Sequence, residues 1–171
     1  MTFVLWFTGL PCSGKTTIAR KLSEHIFNLA ILDGDELREW LSSKDFSQQG
    51  RNEHNRKVSI LAKLLLQHHV PVCVSLVSPY IVNRKTARDI IGDNKFVEIF
   101  VKCSLDECER RDTKGMYKKA RNNEIKNFTG ITDKYEEPIN PDIIIDTEKS
   151  PIDNSIQIIL DYLNESKLIK T

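Results

Sequence analysis

The sequence predicts a doubly wound α/β fold on a five-stranded parallel sheet, and three observations carry that prediction. Short apolar runs of strand length alternate with stretches whose apolar residues recur at helical spacing. The first run, Phe3-Val4-Leu5-Trp6-Phe7, passes directly into Gly9-Leu10-Pro11-Cys12-Ser13-Gly14-Lys15-Thr16-Thr17, a glycine-bearing turn that opens a helix. Polar residues, Asp33-Gly34-Asp35 and Ser78-Pro79-Tyr80, stand just past two later runs, where an open parallel sheet collects its ligands.

The turn after the first strand reads as a phosphate cradle. Its spacing is Gly, four residues, then Gly-Lys-Thr. Gly9 and Gly14 permit backbone angles that turn successive N–H groups of the cradle, Cys12, Ser13 and Thr17 included, toward one anion. The helix that follows adds its positive dipole end and its unpaired donors at the same place. Lys15 is expected to reach the β- and γ-phosphates of ATP, and the Thr16 hydroxyl to take one position on Mg²⁺.

The other elements follow in order. Ile18, Ala19, Leu22 and Ile26 keep helical spacing, which predicts a helix to about Asn28. Leu29 to Leu32 reads as the second strand, and the acids at Asp33 and Asp35 then face the cradle. Glu36 to Arg56 is polar and reads as a surface wall. Val58, Leu61, Ala62, Leu65 and Leu66 predict a core-facing helix. Val70 to Val77 reads as a buried strand, Val82 to Ile91 as a helix, and Phe96 to Val101 as the fourth strand. A helix begins near Asp106, and its Arg110-Arg111 pair reads either as solvated charge or as a phosphate clamp, with Arg111 in the nucleotide set. Asp112 to Pro138 interleaves Lys114, Lys118, Lys119, Arg121 and Lys126 with Tyr117, Phe128 and Tyr135. It is too poor in apolar residues to build a core and reads as a basic lid, since closure over a polyanion excludes water and strengthens charge contacts. Ile143-Ile144-Ile145 is the fifth strand, and Ser150-Pro151 is expected to cap a last helix with Ile156, Ile159, Leu160 and Leu163 inward.

Composition limits the function classes. A chain of 171 residues, 40% hydrophobic, suits a single domain over 1–171. A net charge of +1 gives no basis for bulk binding to nucleic acid or membrane, so anion recognition must be local. With no apolar run of membrane-spanning length and no signal segment, the expectation is a soluble, cytoplasmic protein. Cys12, Cys73, Cys103 and Cys108 form no C-x-x-C pair and read as reduced residues, and the four histidines are too scattered for a metal site.

With these motifs in place the chain resembles the adenylylsulfate kinase family over nearly its whole length. The resemblance is carried by the cradle, by Leu32-Asp33-Gly34-Asp35 with Leu37-Arg38, by Ser78-Pro79-Tyr80, and above all by the lid. There Lys114-Gly115-Met116-Tyr117-Lys118-Lys119-Ala120-Arg121, Glu124-Ile125-Lys126 and Phe128-Thr129-Gly130-Ile131 run together as the family signature does. The resemblance implies the P-loop kinase fold, ATP and Mg²⁺, and phosphorylation of the 3′-hydroxyl of adenosine 5′-phosphosulfate (APS). It implies that Asp35 and Arg38 contact the APS ribose and phosphosulfate, that Phe46 and Phe128 stack on the adenine, and that Arg51, Val77, Ser78 and Lys114 complete the pocket. Ser78 enters the catalytic set with Lys15, Asp33 and Asp35, because some members are described with a phosphoserine there. Asp33 is the expected partner of the Mg²⁺ water shell and Asp35 the group nearest the accepting hydroxyl, although the sequence allows the two roles to be exchanged. A homodimer is a family expectation.

Three departures from the pattern stand out. The stretch between Leu41 and Phe46 is one residue short, His54 occupies a substrate-contact position where many members have asparagine, and Asn127 replaces a common glycine. Two alternatives remain beside the resemblance: a kinase of another nucleotide or small acceptor, and a nucleotide-dependent switch without turnover. A GTPase-like switch would want an Asn-Lys-x-Asp motif, and the chain has none.

Overall fold

The computed structural model describes residues 2–169. Its centre is a parallel sheet in the order β2-β3-β1-β4-β5, formed by Val4–Thr8 (β1), Ala30–Asp33 (β2), Val72–Ser75 (β3), Phe96–Lys102 (β4) and Ile143–Asp146 (β5). Successive strand residues face opposite sides, so β1 sends Leu5 and Phe7 into one core and Val4 and Trp6 into the other. The first core is closed by Lys15–Leu22 (α1) and Ile152–Glu165 (α7), through Ile18, Leu22, Ile156, Ile159 and Leu163. The second is closed by Leu37 from Gly34–Trp40 (α2), by Val58, Ala62 and Leu66 from Gln48–Gln67 (α3), and by Ala87 and Ile91 from Ile81–Ile91 (α4). Helices on both faces make the sheet doubly wound. The chain leaves β1 toward β2 on one side and later reaches β4 on the other, so a crevice opens beyond the carboxyl ends of β1 and β3.

Several boundaries differ from the sequence reading. α1 stops at Leu22, where the Ser23 hydroxyl turns back to the Arg20 carbonyl at 2.7 Å, and Asn28 at φ 56° reverses the chain into β2. The polar stretch expected as a surface wall instead contains most of α2 and the first two and a half turns of α3. Ser47 launches α3, its hydroxyl accepting the Gly50 N–H at 3.1 Å, well before the apolar stripe begins. Those turns bury Arg51, His54 and Asn55. At the other end no side chain caps α7, and Ser150 is tied to Asp146 by its backbone.

The basic segment is also not coreless. Tyr117 and Ala120 of Met116–Arg121 (α6), Cys108 of Leu105–Arg110 (α5), and Phe128 form a third apolar cluster, walled by Leu10, Leu105, Ile125 and Ile131. Four well-placed apolar residues suffice because they pack on the cradle loop and α5 rather than on one another alone. Tyr117 and Phe128 meet edge to face at 4.9 Å, a favoured aromatic arrangement.

Candidate active site

The cradle's shape follows from close packing and two unusual backbone angles. A Cβ at Gly9 would lie 2.5 Å from the Val101 carbonyl oxygen and 2.8 Å from Ser13 Oγ, so only glycine fits against β4. Gly14 at φ 101° turns the chain into α1, and Cys12 at φ 63° contributes a second left-handed turn. Lys15 is buried and folds back over the loop, its Nζ donating to the Leu10 carbonyl at 2.7 Å and the Gly9 carbonyl at 3.0 Å. Burial lowers its pKa to about 8. An anion entering the loop would meet a cation already held there by the loop's own carbonyls.

Two cavities meet at Cys12, Lys15 and Thr16. The first, about 430 Å³, runs from the cradle along α1 and is walled by Arg111, Thr147 and the start of α7. Arg111 is fixed by Glu107 at 2.7 Å and by the Thr147 carbonyl at 2.9 Å. The Thr147 hydroxyl in turn donates to the Ser13 carbonyl at 2.9 Å, tying this wall to the cradle. Gly14, Thr16, Thr17 and Cys12 line this cavity, whereas Gly9 and Ser13 lie beneath its surface.

The second cavity, about 500 Å³, holds Asp33, Asp35, Arg38, Phe46, Arg51, His54, Val77, Ser78, Lys114, Asn127 and Phe128 together. These come from five separate segments of the chain. Asp33 is the N-cap of α2, its carboxylate accepting the Asp35 N–H at 3.0 Å and the Thr16 hydroxyl at 2.7 Å. Ser75 Oγ lies 3.2 Å from the same Thr16 hydroxyl. This leaves Asp35 free of the capping role that an aspartate before a helix commonly takes, and its carboxylate stands at the cavity mouth. There it meets Lys114 at 3.3 Å, both side chains largely exposed. Among the described residues no cluster of three or more His, Cys, Asp or Glu side chains forms a ready-made cation site. Thr16, Asp33 and Ser75 do place three hard oxygen donors side by side, which suits Mg²⁺ held jointly with phosphate and water.

The aromatic walls differ from one another. Phe46 is 46% exposed, and the Arg38 guanidinium lies 4.2 Å from the centre of its ring. Phe128 is 8% exposed and packs on Tyr117. Ser78, expected among the catalytic groups, offers no free hydroxyl: it donates to Asn55 Oδ1 at 2.7 Å, accepts the Trp6 Nε1–H at 3.0 Å, and is buried at a left-handed φ of 43°. His54 is 2% exposed, and neither ring nitrogen has a partner. Burial, with Arg38 next, lowers its pKa to about 4, so the ring is neutral at pH 7.

Sequence reasoning missed Thr147, Asn55, Ser75 and Asp133. Asn55 carried a signal, since it lies one helical turn after Arg51 and donates to the Arg51 carbonyl at 2.8 Å. Thr147 lies far from the motifs in sequence and carried none, and Asp133, two residues beyond the Phe128-Thr129-Gly130-Ile131 string, has no spacing that marks it.

Comparisons with known proteins place the chain in one family. The family model described as adenylylsulphate kinase matches residues 1–146. An adenylyl-sulfate kinase of Oceanobacillus iheyensis is 44% identical, the match covering 97% of this chain and 86% of the relative. The structure of the Mycobacterium tuberculosis APS kinase in complex with AMPPNP and APS superposes with a TM-score of 0.89 at 40% identity, covering 95% of this chain and 98% of that one. A hexameric APS kinase from Thiobacillus denitrificans, 26% identical, gives a TM-score of 0.73 over 99% of this chain and 30% of its own. With the cradle, the second cavity and the lid all placed within this match, the chain belongs to the adenylylsulfate kinase family.

Proposed function

We propose that the protein transfers the γ-phosphoryl group of ATP to the 3′-hydroxyl of APS, giving 3′-phosphoadenosine 5′-phosphosulfate and ADP. The observation that carries this reading is the meeting of two cavities at Lys15 and Thr16, one walled by Arg111 and Thr147, the other lined by Asp35, Phe46 and Phe128. ATP fits the first, its phosphates on the cradle. APS fits the second, its adenine between Phe46 and Phe128, and Arg38, Arg51 and Lys114 supply cations for the phosphosulfate.

Thr16 and Asp33 would hold Mg²⁺, which supplies positive charge to the phosphate oxygens when bound. Lys15 is placed to neutralise charge that develops on the group in transfer. Asp35 orients the ribose hydroxyl and accepts its proton, and in a loose transition state the aiming counts as much as the proton transfer. Transfer is direct, and Ser78 acts as a strut that fixes the floor of the acceptor cavity. His54, neutral and unpartnered at that floor, offers the acceptor one donor and one acceptor nitrogen. The segment 112–138 serves as the lid, anchored to the cradle by the Tyr117 hydroxyl, which donates to the Pro11 carbonyl at 2.9 Å.

The reading takes residues 1–171 as one domain working in the cytoplasm, in keeping with four free cysteines and a helix set in which, among the described residues, none is long and apolar enough to cross a membrane. It also takes the protein as a homodimer, which sedimentation can check. The deciding experiment is ADP release from ATP and Mg²⁺ with APS, with AMP, and with no acceptor. APS-dependent release supports the reading. Equal release in all three, or release with AMP alone, contradicts it.

A further inference from the structure

Arg51 is a buried cation whose guanidinium reaches both aromatic walls through the backbone. Its Nε donates to the Phe46 carbonyl at 3.1 Å, and one terminal nitrogen donates to the carbonyl of Asn127, the residue before Phe128. Asn127 sits at a left-handed φ of 56°, the conformation in which its carbonyl meets Arg51. The one carboxylate paired with Arg51 among the described residues is Asp133, 3.6 Å from Nε.

Asp133 is itself firmly held. Its carboxylate accepts the Tyr80 hydroxyl at 2.6 Å and the Lys134 N–H at 2.9 Å. Its own N–H donates to the Phe128 carbonyl at 3.0 Å, and its carbonyl accepts the Gly130 N–H at 2.8 Å, so it closes the tight turn that begins at Phe128. Tyr80 belongs to the loop after β3 and is buried. One side chain therefore joins the sheet, α3 and the lid.

We infer that Asp133 is a positioning residue for acceptor recognition, holding Arg51 so that the carbonyls of Phe46 and Asn127, and with them the two aromatic walls, keep a fixed separation. This rests on the proposed APS site. Without its carboxylate the guanidinium would be free to turn toward other acceptors, and the carbonyls of Phe46 and Asn127 would lose their shared anchor.

The test is steady-state kinetics on the wild type, Asp133→Asn, Arg51→Met and the double variant. Asparagine keeps the volume and the Tyr80 contact but removes the charge. For Asp133→Asn the KM for APS should rise about fivefold, the upper end of the scale for a lost ion pair, while the KM for ATP and the thermal midpoint stay nearly constant. In the Arg51→Met background the same substitution should add less than about twofold, because its effect runs through Arg51. Tyr80→Phe gives a second probe should Asp133→Asn fail to fold, with the KM for APS rising about two- to threefold. An unchanged KM for APS, an equal rise in both KM values, or full additivity in the double variant overturns the inference and leaves the proposed function standing. A wild type with no APS-dependent turnover overturns both.

Discussion

The nucleotide cradle and the acceptor cavity share Lys15 and Thr16, yet they are built in opposite ways. The cradle is nine consecutive residues whose backbone supplies the binding groups, held in shape by Gly9 against β4 and by Thr147 from across the sheet. The acceptor cavity is assembled from side chains of five segments, and its shape depends on contacts such as Arg51 to Asn127 and Tyr117 to Phe128. A backbone site of this kind is specified locally and tolerates little change in residue type at its glycines. A side-chain site is specified by tertiary packing and can be retuned one residue at a time.

The largest expected effect falls in the acceptor cavity. Asp35→Asn should lower kcat by roughly 10²–10⁴, the range for loss of a general base, with thermal stability unchanged. Asp33, not Asp35, caps α2, so Asp33→Ala is the variant expected to lose about 1 kcal/mol of stability. If Asp35→Asn keeps more than about a tenth of wild-type turnover at saturating APS, Asp33 becomes the candidate for proton transfer.

Lys15→Ala tests the cation that the two cavities share. Turnover should drop by roughly 10²–10³, the scale for removing one preorganised positive donor from a transition state. The fold should persist, because the loop is held by Gly9, Thr147 and Tyr117 and a buried cation is removed rather than a packing group. Normal turnover in a folded variant would take the cradle lysine out of the mechanism.

Phe128 sharpens the contrast, because it serves both the acceptor cavity and the third apolar cluster. Truncation to alanine would confuse the two roles, so Phe128→Leu is the better probe: it keeps apolar volume against Tyr117 and loses the flat ring. APS binding should weaken by about 1–3 kcal/mol, the scale of aromatic stacking on a base, while ATP binding stays near wild type. Equal losses for both nucleotides, measured by calorimetry, would mean that the lid as a whole had been damaged.

The smallest effect concerns pH. His54 has a folded pKa of about 4 against an ordinary value of 6.5, so between those values the unfolded chain takes up a proton that the folded chain refuses. Its contribution to stability is therefore present above about pH 6.5 and lost as pH falls toward 4, by about 2 kcal/mol over the window. Denaturant titrations at pH 7 and 4.5 should show a smaller acid loss in His54→Asn than in the wild type. An identical loss would mean that the ring is protonated without cost in the fold.

The same contrast explains how much was legible in the sequence. The cradle, the positions of the strands along the chain, the acids after β2 and the lid's basic character all lie in short windows that can be read locally. The inward face of α3 did not, because its first turns bury Arg51, His54 and Asn55 where an apolar stripe would have marked a helix. The third cluster stayed hidden for a related reason: Tyr117, Ala120 and Phe128 are too few to form a core by themselves and acquire one only from Leu10 and α5. Ser78 entered the catalytic set through the family resemblance, and only tertiary structure reveals that Trp6 and Asn55 already occupy its hydroxyl.

The central claim, that the two cavities bring the γ-phosphoryl group of ATP to one ribose hydroxyl of APS, is tested most directly by following label from γ-³²P ATP onto APS and onto its 3′-deoxy analogue. The account predicts labelled 3′-phosphoadenosine 5′-phosphosulfate from APS and no labelled nucleotide from the analogue, which should still bind between Phe46 and Phe128 and compete with APS. Label on the 3′-deoxy analogue would contradict it.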